Sequence, residues 1–149
     1  MNKVSVLIPS YNLGHLIGRT IESVLAQTFT DFELIIEDDG STDNSLDVIR
    51  PYLADERVAL IVKAKNEGQN KTTNNLIDAA HGEYICCLPA DDVIVPDKLE
   101  RQVAYLDANQ DCGIVFGWPK FATEAGQAIK YEVEGIEDIK NSTRVNWRR

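Results

Sequence analysis

Short apolar runs alternate with amphipathic stretches along this chain of 149 residues. The runs are rich in valine, isoleucine and leucine, which is typical of strands buried on both faces. They predict five strands, at residues 3–8, 32–37, 57–63, 83–88 and 112–118.

Between these runs, apolar residues recur at spacings of three and four, which predicts a helix after each of the first four strands. The first helix follows the apolar positions of 13–25, and Ser41 is the predicted N-cap of the second. Pro51 marks the point where the second helix frays or bends. The third helix covers residues 68–82, and the fourth opens at Pro96 or Asp97.

This alternation predicts an α/β fold with a mostly parallel sheet and helices on both faces. Residues 119–149 differ, because they read as a short β-hairpin followed by a segment without a clear period. We therefore predict a core over residues 1–118 and a separate region over 119–149.

Composition narrows the class of protein. The formal net charge of −9, from 15 basic and 24 acidic side chains, would repel phosphate backbones, so we expect no nucleic-acid partner. No apolar run approaches the roughly 20 residues that span a bilayer, and the N-terminus lacks the apolar core of a secretory signal. These features predict a cytoplasmic protein, with peripheral association at the inner face of the membrane as the alternative.

The unusual polar residues follow the predicted strands. The sequences are PSYN after the first strand, DDGSTDNS after the second, AKNEGQN after the third and PADD after the fourth. In open α/β sheets, ligands bind beyond the carboxyl ends of the strands. We therefore expect these four loops to line one crevice.

Two pairs of carboxylates stand out in these loops, and each has two interpretations. Asp91 and Asp92 could hold a hard divalent cation such as Mg²⁺ or Mn²⁺, or could be a solvated loop with one capping aspartate. Asp38 and Asp39 could cap the next helix, or one of them could accept a hydrogen bond from an N–H of a ligand such as uracil.

Several other classes of site lack their sequence signals. Neither a phosphate-binding P-loop nor a dinucleotide-binding glycine motif occurs, and His15 and His81 stand alone without a nucleophile motif. A receiver-like signalling domain would carry its acids after the first and third strands. Adjacent aspartates also do not give the carboxylate separations of about 5 Å or more that glycoside hydrolysis needs.

Taken together, the loop motifs resemble those of the family 2 inverting glycosyltransferases, which have the Rossmann-like GT-A fold. The matching strings are VSVLIPSYN, SVLAQTFTDFELIIEDDGSTDNS, KNEGQNKTTNN and AAHGEYICCLPADDVIVPDKLERQV, in this order. The resemblance covers roughly residues 3–118. It implies a transferase of polysaccharide biosynthesis, in a bacterium, that moves a sugar from a nucleotide diphosphate, here UDP, to a glycan or lipid-linked acceptor.

The resemblance also implies roles for individual residues. Asp39 accepts the uracil N–H and Asp38 shapes its turn, while Asp92 reaches a Mn²⁺ or Mg²⁺ ion that bridges the diphosphate. Asp91 lies against the sugar or ribose and is the second candidate metal ligand. The remaining implied nucleotide contacts are Pro9, Ser10, Tyr11, Lys65, Asn66 and Lys71.

Two departures from the family pattern limit these implications. Many members have Asp-x-Asp-Asp where this chain has Pro89 before Ala90, which removes one potential carboxylate. The family's general base lies in a later segment, and no carboxylate after Trp118 matches its motif. We therefore expect the chain to cover the donor-binding half, with the start of a truncated or missing acceptor-binding region in 119–149. A binding module without turnover is the alternative, and an uncovered sheet predicts a homodimer or marginal stability.

Overall fold

A computed structural model describes residues 2–117 together with Lys120 and Thr123. The elements follow one another as strands and helices in alternation. They are β1 (Val4–Ser10), α1 (Ile17–Leu25), β2 (Phe32–Asp38), α2 (Ser45–Ile49), a 3₁₀ helix (Arg50–Ala54), β3 (Val58–Val62), α3 (Gln69–Ala79), β4 (Tyr84–Cys87) and α4 (Lys98–Ala108).

The four strands form one sheet in the order β3-β2-β1-β4, and every neighbouring pair is parallel. This confirms the predicted α/β fold with its parallel sheet. Because all the strands run the same way, their carboxyl ends and the loops that follow lie at one edge.

Both faces of the two central strands are buried. Leu7 of β1 and Ile35 of β2 pack with Leu76 of α3 on one face. The side chains that alternate with them point to the other face and are also fully buried, namely Val6, Ile8, Leu34 and Ile36. Burial of each such side chain contributes about 1.5–3 kcal/mol, so this double-sided core holds β1 and β2 at the centre of the sheet.

Pro9 lies inside β1, so the predicted end of the first strand at Ile8 is wrong. Pro9 is in register with Glu37 of β2, whereas β4 pairs with β1 only as far as Leu7. A residue without a backbone N–H is tolerated there because one side of β1 has no partner strand at that position.

The helix predictions hold in outline, with one change. Pro51 does end the regular α-helix, since α2 stops at Ile49 and a 3₁₀ helix continues from Arg50. Gly82, predicted to close the third helix, lies three residues beyond its end and packs against β1 instead, where an added Cβ would be 2.4 Å from the Ser5 nitrogen.

The predicted fifth strand is wrong for residues 112–117, the part of it that the structure describes. The backbone N–H of Cys112 donates a hydrogen bond to the carbonyl of Asn109 at 2.8 Å, which closes a turn after α4, and residues 112–117 form no strand after it. Trp118 and the predicted hairpin lie outside the described residues, and the domain boundary at residue 118 stays a prediction.

Among the described helices, none is long and apolar enough to cross a bilayer.

Candidate nucleotide and metal site

The loops after β1 and β2 are joined by hydrogen bonds through Asn12. Its backbone N–H donates to Ser41 Oγ at 2.8 Å, and its side-chain Oδ1 accepts from the backbone N–H of Thr42 at 2.8 Å. Asn12 has a φ of 53°, a left-handed conformation that asparagine tolerates better than most residues. The prediction that Ser41 is the N-cap of α2 is therefore wrong. Its hydroxyl instead accepts the hydrogen bond that joins the two loops.

A second contact between the same loops involves Gly14 and Asp43. The backbone N–H of Gly14 donates to Asp43 Oδ2 at 2.9 Å, and Asp43 Oδ1 accepts from the backbone N–H of Ser45 at 2.9 Å. A Cβ on Gly14 would lie 2.2 Å from Asn44 Oδ1. The first loop therefore packs directly on the start of α2.

Asp38 and Ser10 are neighbours in register at the ends of β2 and β1, and both are buried. Oδ1 of Asp38 accepts a hydrogen bond from the backbone N–H of Ser41 at 2.9 Å, which closes the turn after β2. Oδ2 of Asp38 and Oγ of Ser10 are buried without a protein partner. The site thus contains two polar atoms with unused hydrogen-bonding capacity.

Asp39 holds the loop that follows β3. Its Oδ1 accepts from the backbone N–H of Glu67 at 2.9 Å and its Oδ2 from that of Gly68 at 2.8 Å, while only 3% of the residue is exposed. Gly68 directly precedes α3, so the carboxylate satisfies N–H groups at a helix N-terminus, where a negative charge is stabilised. Sequence analysis did not predict this contact.

Gly40 allows the loop after β2 and the loop after β3 to approach each other closely. It has a φ of 73°, and an added Cβ would lie 2.7 Å from the Lys65 Cα and 2.8 Å from the Asn66 nitrogen. The tip of β2 therefore fixes the backbone of Lys65 and Asn66, whose side chains are exposed.

Lys71 and Tyr11 reach the surface of this region. The Lys71 ammonium pairs with Glu67 Oε1 at 2.7 Å on the exposed first turn of α3. Tyr11 follows β1 directly and is 43% exposed. Glu37, which directly precedes Asp38 and Asp39, is buried on the α3 side of the sheet, where its Oε1 accepts from Asn75 Nδ2 at 3.0 Å.

Asp91 and Asp92 lie in a turn after β4, in which the backbone N–H of Asp92 donates to the carbonyl of Pro89 at 3.1 Å. Both are exposed. Partial burial raises the pKa of Asp92, and the neighbouring charge of Asp91 raises it further. A cation placed here would relieve this repulsion. Within the described residues, no group of three or more histidine, cysteine or acidic side chains is placed to hold a metal.

The predicted site residues therefore fall into two parts at one edge of the sheet. The loops after β1, β2 and β3 are joined through Asn12, Asp39, Gly40 and Asp43. The turn with Asp91 and Asp92 follows β4, on the other side of β1. Sequence analysis missed Asn12 and Asp43 as linking residues, although both lie within the motif strings.

The parallel sheet with its helices is the GT-A fold, which the S. aureus TarS structure shares over 72% of this chain. The model of the glycosyl transferase family 2 matches residues 5–148, and the chain belongs to this family.

Relatives and solved structures agree with this membership. An uncharacterized glycosyltransferase of Nostoc sp. is 44% identical over 115 residues, which cover 76% of this chain and 35% of that protein. The chondroitin synthase of Escherichia coli is 39% identical over 97 residues, covering 65% of this chain and 14% of the synthase. The crystal structure of S. aureus TarS 1–349 in complex with UDP-GlcNAc matches with a TM-score of 0.69 and 29% identity, over 72% of this chain and 32% of TarS. The chain thus spans about a third of the TarS structure and of the Nostoc relative.

Proposed function

We propose that this chain binds the donor of a glycosyltransferase, a UDP-sugar, and that the sugar passes to a glycan or lipid-linked acceptor with inversion. The observation that carries the proposal is the placement of two acid pairs after β2 and β4, at the same edge of one parallel sheet. The UDP-GlcNAc complex of TarS supports a uridine nucleotide, and the chondroitin synthase supports a polysaccharide product.

The base would lie against the ends of β1 and β2. Pro9, Ser10 and Tyr11 would form its wall, with the exposed ring of Tyr11 available for stacking. Asp39 would accept the uracil imide N–H. Its two backbone hydrogen bonds use one lone pair on each carboxylate oxygen, and each oxygen carries a second.

The diphosphate would lie between this wall and the turn after β4. Asp92, with Asp91 beside it, fits a divalent cation, because the carboxylates are hard oxygen donors whose mutual repulsion the ion would relieve. Mg²⁺ or Mn²⁺ typically takes one or two carboxylates and completes its shell with water and phosphate oxygens. When bound, the ion would neutralise negative charge on the leaving diphosphate. Lys65, Asn66 and Lys71, on the loop after β3 and the start of α3, would contact the nucleotide from the other side.

In the transfer itself, an acceptor hydroxyl would attack the anomeric carbon opposite the nucleoside diphosphate. A new glycosidic C–O bond would form as the bond to the diphosphate breaks, and the hydroxyl proton would pass to a general base. We assign that base to a segment other than the donor-binding core. The predicted homodimer stays a prediction.

A calorimetric titration of UDP with and without Mn²⁺ tests the proposal. We expect binding that strengthens with Mn²⁺ and a loss of this metal effect in Asp92→Asn. Asp78→Asn serves as the control, because it removes an exposed acid from α3. Absence of any heat with UDP, or equal affinity with and without Mn²⁺, would overturn donor binding through a metal at this edge.

A further inference from the structure

One face of α1, with its C-terminal extension, holds the segment between β4 and α4. Thr20, Ser23 and Gln27 follow one another at spacings of three and four, so their side chains lie on the same side of the helix. Thr20 Oγ1 donates to the carbonyl of Ala90 at 2.8 Å, and Ser23 Oγ accepts from the backbone N–H of Ile94 at 3.2 Å. These two contacts fall just before and just after the acid pair.

Gln27 completes the attachment. Its Nε2 donates to the carbonyls of Val95 at 2.8 Å and Ser23 at 3.0 Å, and its Oε1 accepts from the backbone N–H of Leu99 at 3.0 Å. Leu99 is in the first turn of α4, where backbone N–H groups lack partners within the helix. Gln27 is 4% exposed, and both N–H groups and the oxygen of its amide are bonded.

We propose that Gln27 is a positioning residue for Asp91 and Asp92, an inference that rests on the proposed donor binding. The amide fixes the backbone at Val95 and Leu99, and Thr20 fixes it at Ala90, which is 1% exposed. The backbone around the two aspartates is therefore held from both sides, while their side chains remain exposed to a ligand. A site held in this way loses less conformational freedom when the metal and diphosphate bind.

Only an amide of this length satisfies all three contacts. A glutamate at position 27 would keep the shape but place carboxylate oxygens against the carbonyls of Val95 and Ser23, where donors are required. A methionine would fill the volume but donate no hydrogen bond, and its sulfur accepts only weakly. An asparagine would be one methylene too short to reach both α4 and the segment before it.

Titrations of Mn²⁺–UDP and of metal-free uridine, run on the same variants, test the inference. We expect Gln27→Glu and Gln27→Met to weaken Mn²⁺–UDP binding about tenfold or more. Loss of a group that orients metal ligands typically has an effect of this size. Uridine, which lacks the diphosphate, should bind within about twofold of the wild-type affinity. Ser23→Ala, a milder change, should act in the same direction. Amide hydrogen exchange at residues 91–94 should be faster in each variant.

Ser5→Ala is the control for a purely structural effect. Ser5 is fully buried and hydrogen-bonded to Glu33 and Gly82, toward the amino end of β1. It should lower stability without a selective loss of the metal-dependent affinity. Unchanged Mn²⁺–UDP affinity in the Gln27 variants, or an equal loss for uridine, would overturn the positioning role. A wild-type chain that binds no UDP would overturn the proposed function itself, so the two failures are distinguishable.

Discussion

Oδ2 of Asp39 accepts a hydrogen bond from the backbone N–H of Gly68 at 2.8 Å, across a sequence separation of 29 residues. Oδ1 binds the adjacent N–H of Glu67 in the same way. The acid at the tip of β2 is therefore also the anion at the start of α3. One side chain serves the architecture of the site and, in our proposal, the recognition of the base.

Asp39→Asn tests the first of these two roles, the support of the loop before α3. The asparagine amide keeps one acceptor oxygen, so one of the two backbone N–H groups loses its partner, which costs about 1–3 kcal/mol. We expect a lower free energy of unfolding in urea and faster hydrogen exchange at Glu67 and Gly68. Asp31→Asn, an exposed acid before β2, should change neither. Equal stability of the Asp39 variant would contradict the contact.

Gly14 and Gly18 give a matched pair of glycines around the start of α1. A Cβ on Gly14 would lie 2.2 Å from Asn44 Oδ1 and 2.8 Å from the Ser45 nitrogen, whereas a Cβ on Gly18 would lie 3.3 Å from Val48 Cγ1. We expect Gly14→Ala to destabilise the chain by about 1–3 kcal/mol through overpacking. Gly18→Ala, inside α1, gains up to about 1 kcal/mol of helix propensity and should be neutral or stabilising. The midpoint of thermal unfolding of each variant tests this order of stability. A Gly14→Ala variant more stable than Gly18→Ala would show that the loop after β1 is not packed on α2.

The pH dependence of stability should report on Asp55 and Arg57. The guanidinium of Arg57 donates to Asp55 Oδ1 at 3.0 Å and to Oδ2 at 2.7 Å, and these hydrogen bonds lower the pKa of Asp55 to about 2. Because the folded-state pKa is below the unfolded value of about 3.9, the stabilisation is complete above about pH 4 and is lost as the pH falls toward 2.

Asp55→Asn should therefore be less stable than the wild type by about 0.5–1 kcal/mol at pH 7, the size expected of a pair near the surface. The difference should shrink between pH 4 and pH 2 in urea unfolding experiments. Asp47→Asn, which removes an exposed pair with Arg50, should have a smaller effect at neutral pH. A difference that is constant with pH would contradict the assigned pair.

Lys71 and Glu67 allow a test of the proposed nucleotide contact from α3. The pair is 2.7 Å apart, and 58% of the Lys71 side chain is exposed. We expect Lys71→Gln to weaken UDP binding about two- to fivefold, the effect of one exposed charge contact of about 0.5–1 kcal/mol. Glu67→Gln frees the ammonium and should leave the affinity equal or tighter. Unchanged UDP affinity in Lys71→Gln would show that this lysine does not contact the nucleotide.

The sequence was sufficient for the parts of the fold that depend on local pattern. The runs around Leu7 and Ile35 are apolar on both faces, and this pattern predicted the buried parallel strands within one or two residues of their ends. Pro9 was taken as a strand end because its effect depends on β4, which pairs with β1 only as far as Leu7. The residues around Pro9 do not indicate how far the neighbouring strand β4 extends.

The sequence pattern singled out the residues of the candidate site by type, but it did not predict the hydrogen bonds that connect them. The acid pairs were found because paired aspartates after apolar runs are unusual. The partners of Asp39 and Gln27, however, are backbone groups far along the chain, at Gly68 and Val95. Any residue has a backbone N–H and carbonyl, so no side-chain pattern identifies those partners. Ser41 was assigned as a cap for the same reason, since its bond to Asn12 spans 29 residues.

The two acid pairs are supported by different elements, Asp38 and Asp39 by the neighbouring loops and Asp91 and Asp92 by α1. A ligand that engages both pairs therefore supplies the connection between them. Its first contact raises the effective concentration of its second, and the gain is greatest when the ligand's length matches the span. In our proposal the donor is such a ligand, so its base and its diphosphate together bind more tightly than either part alone.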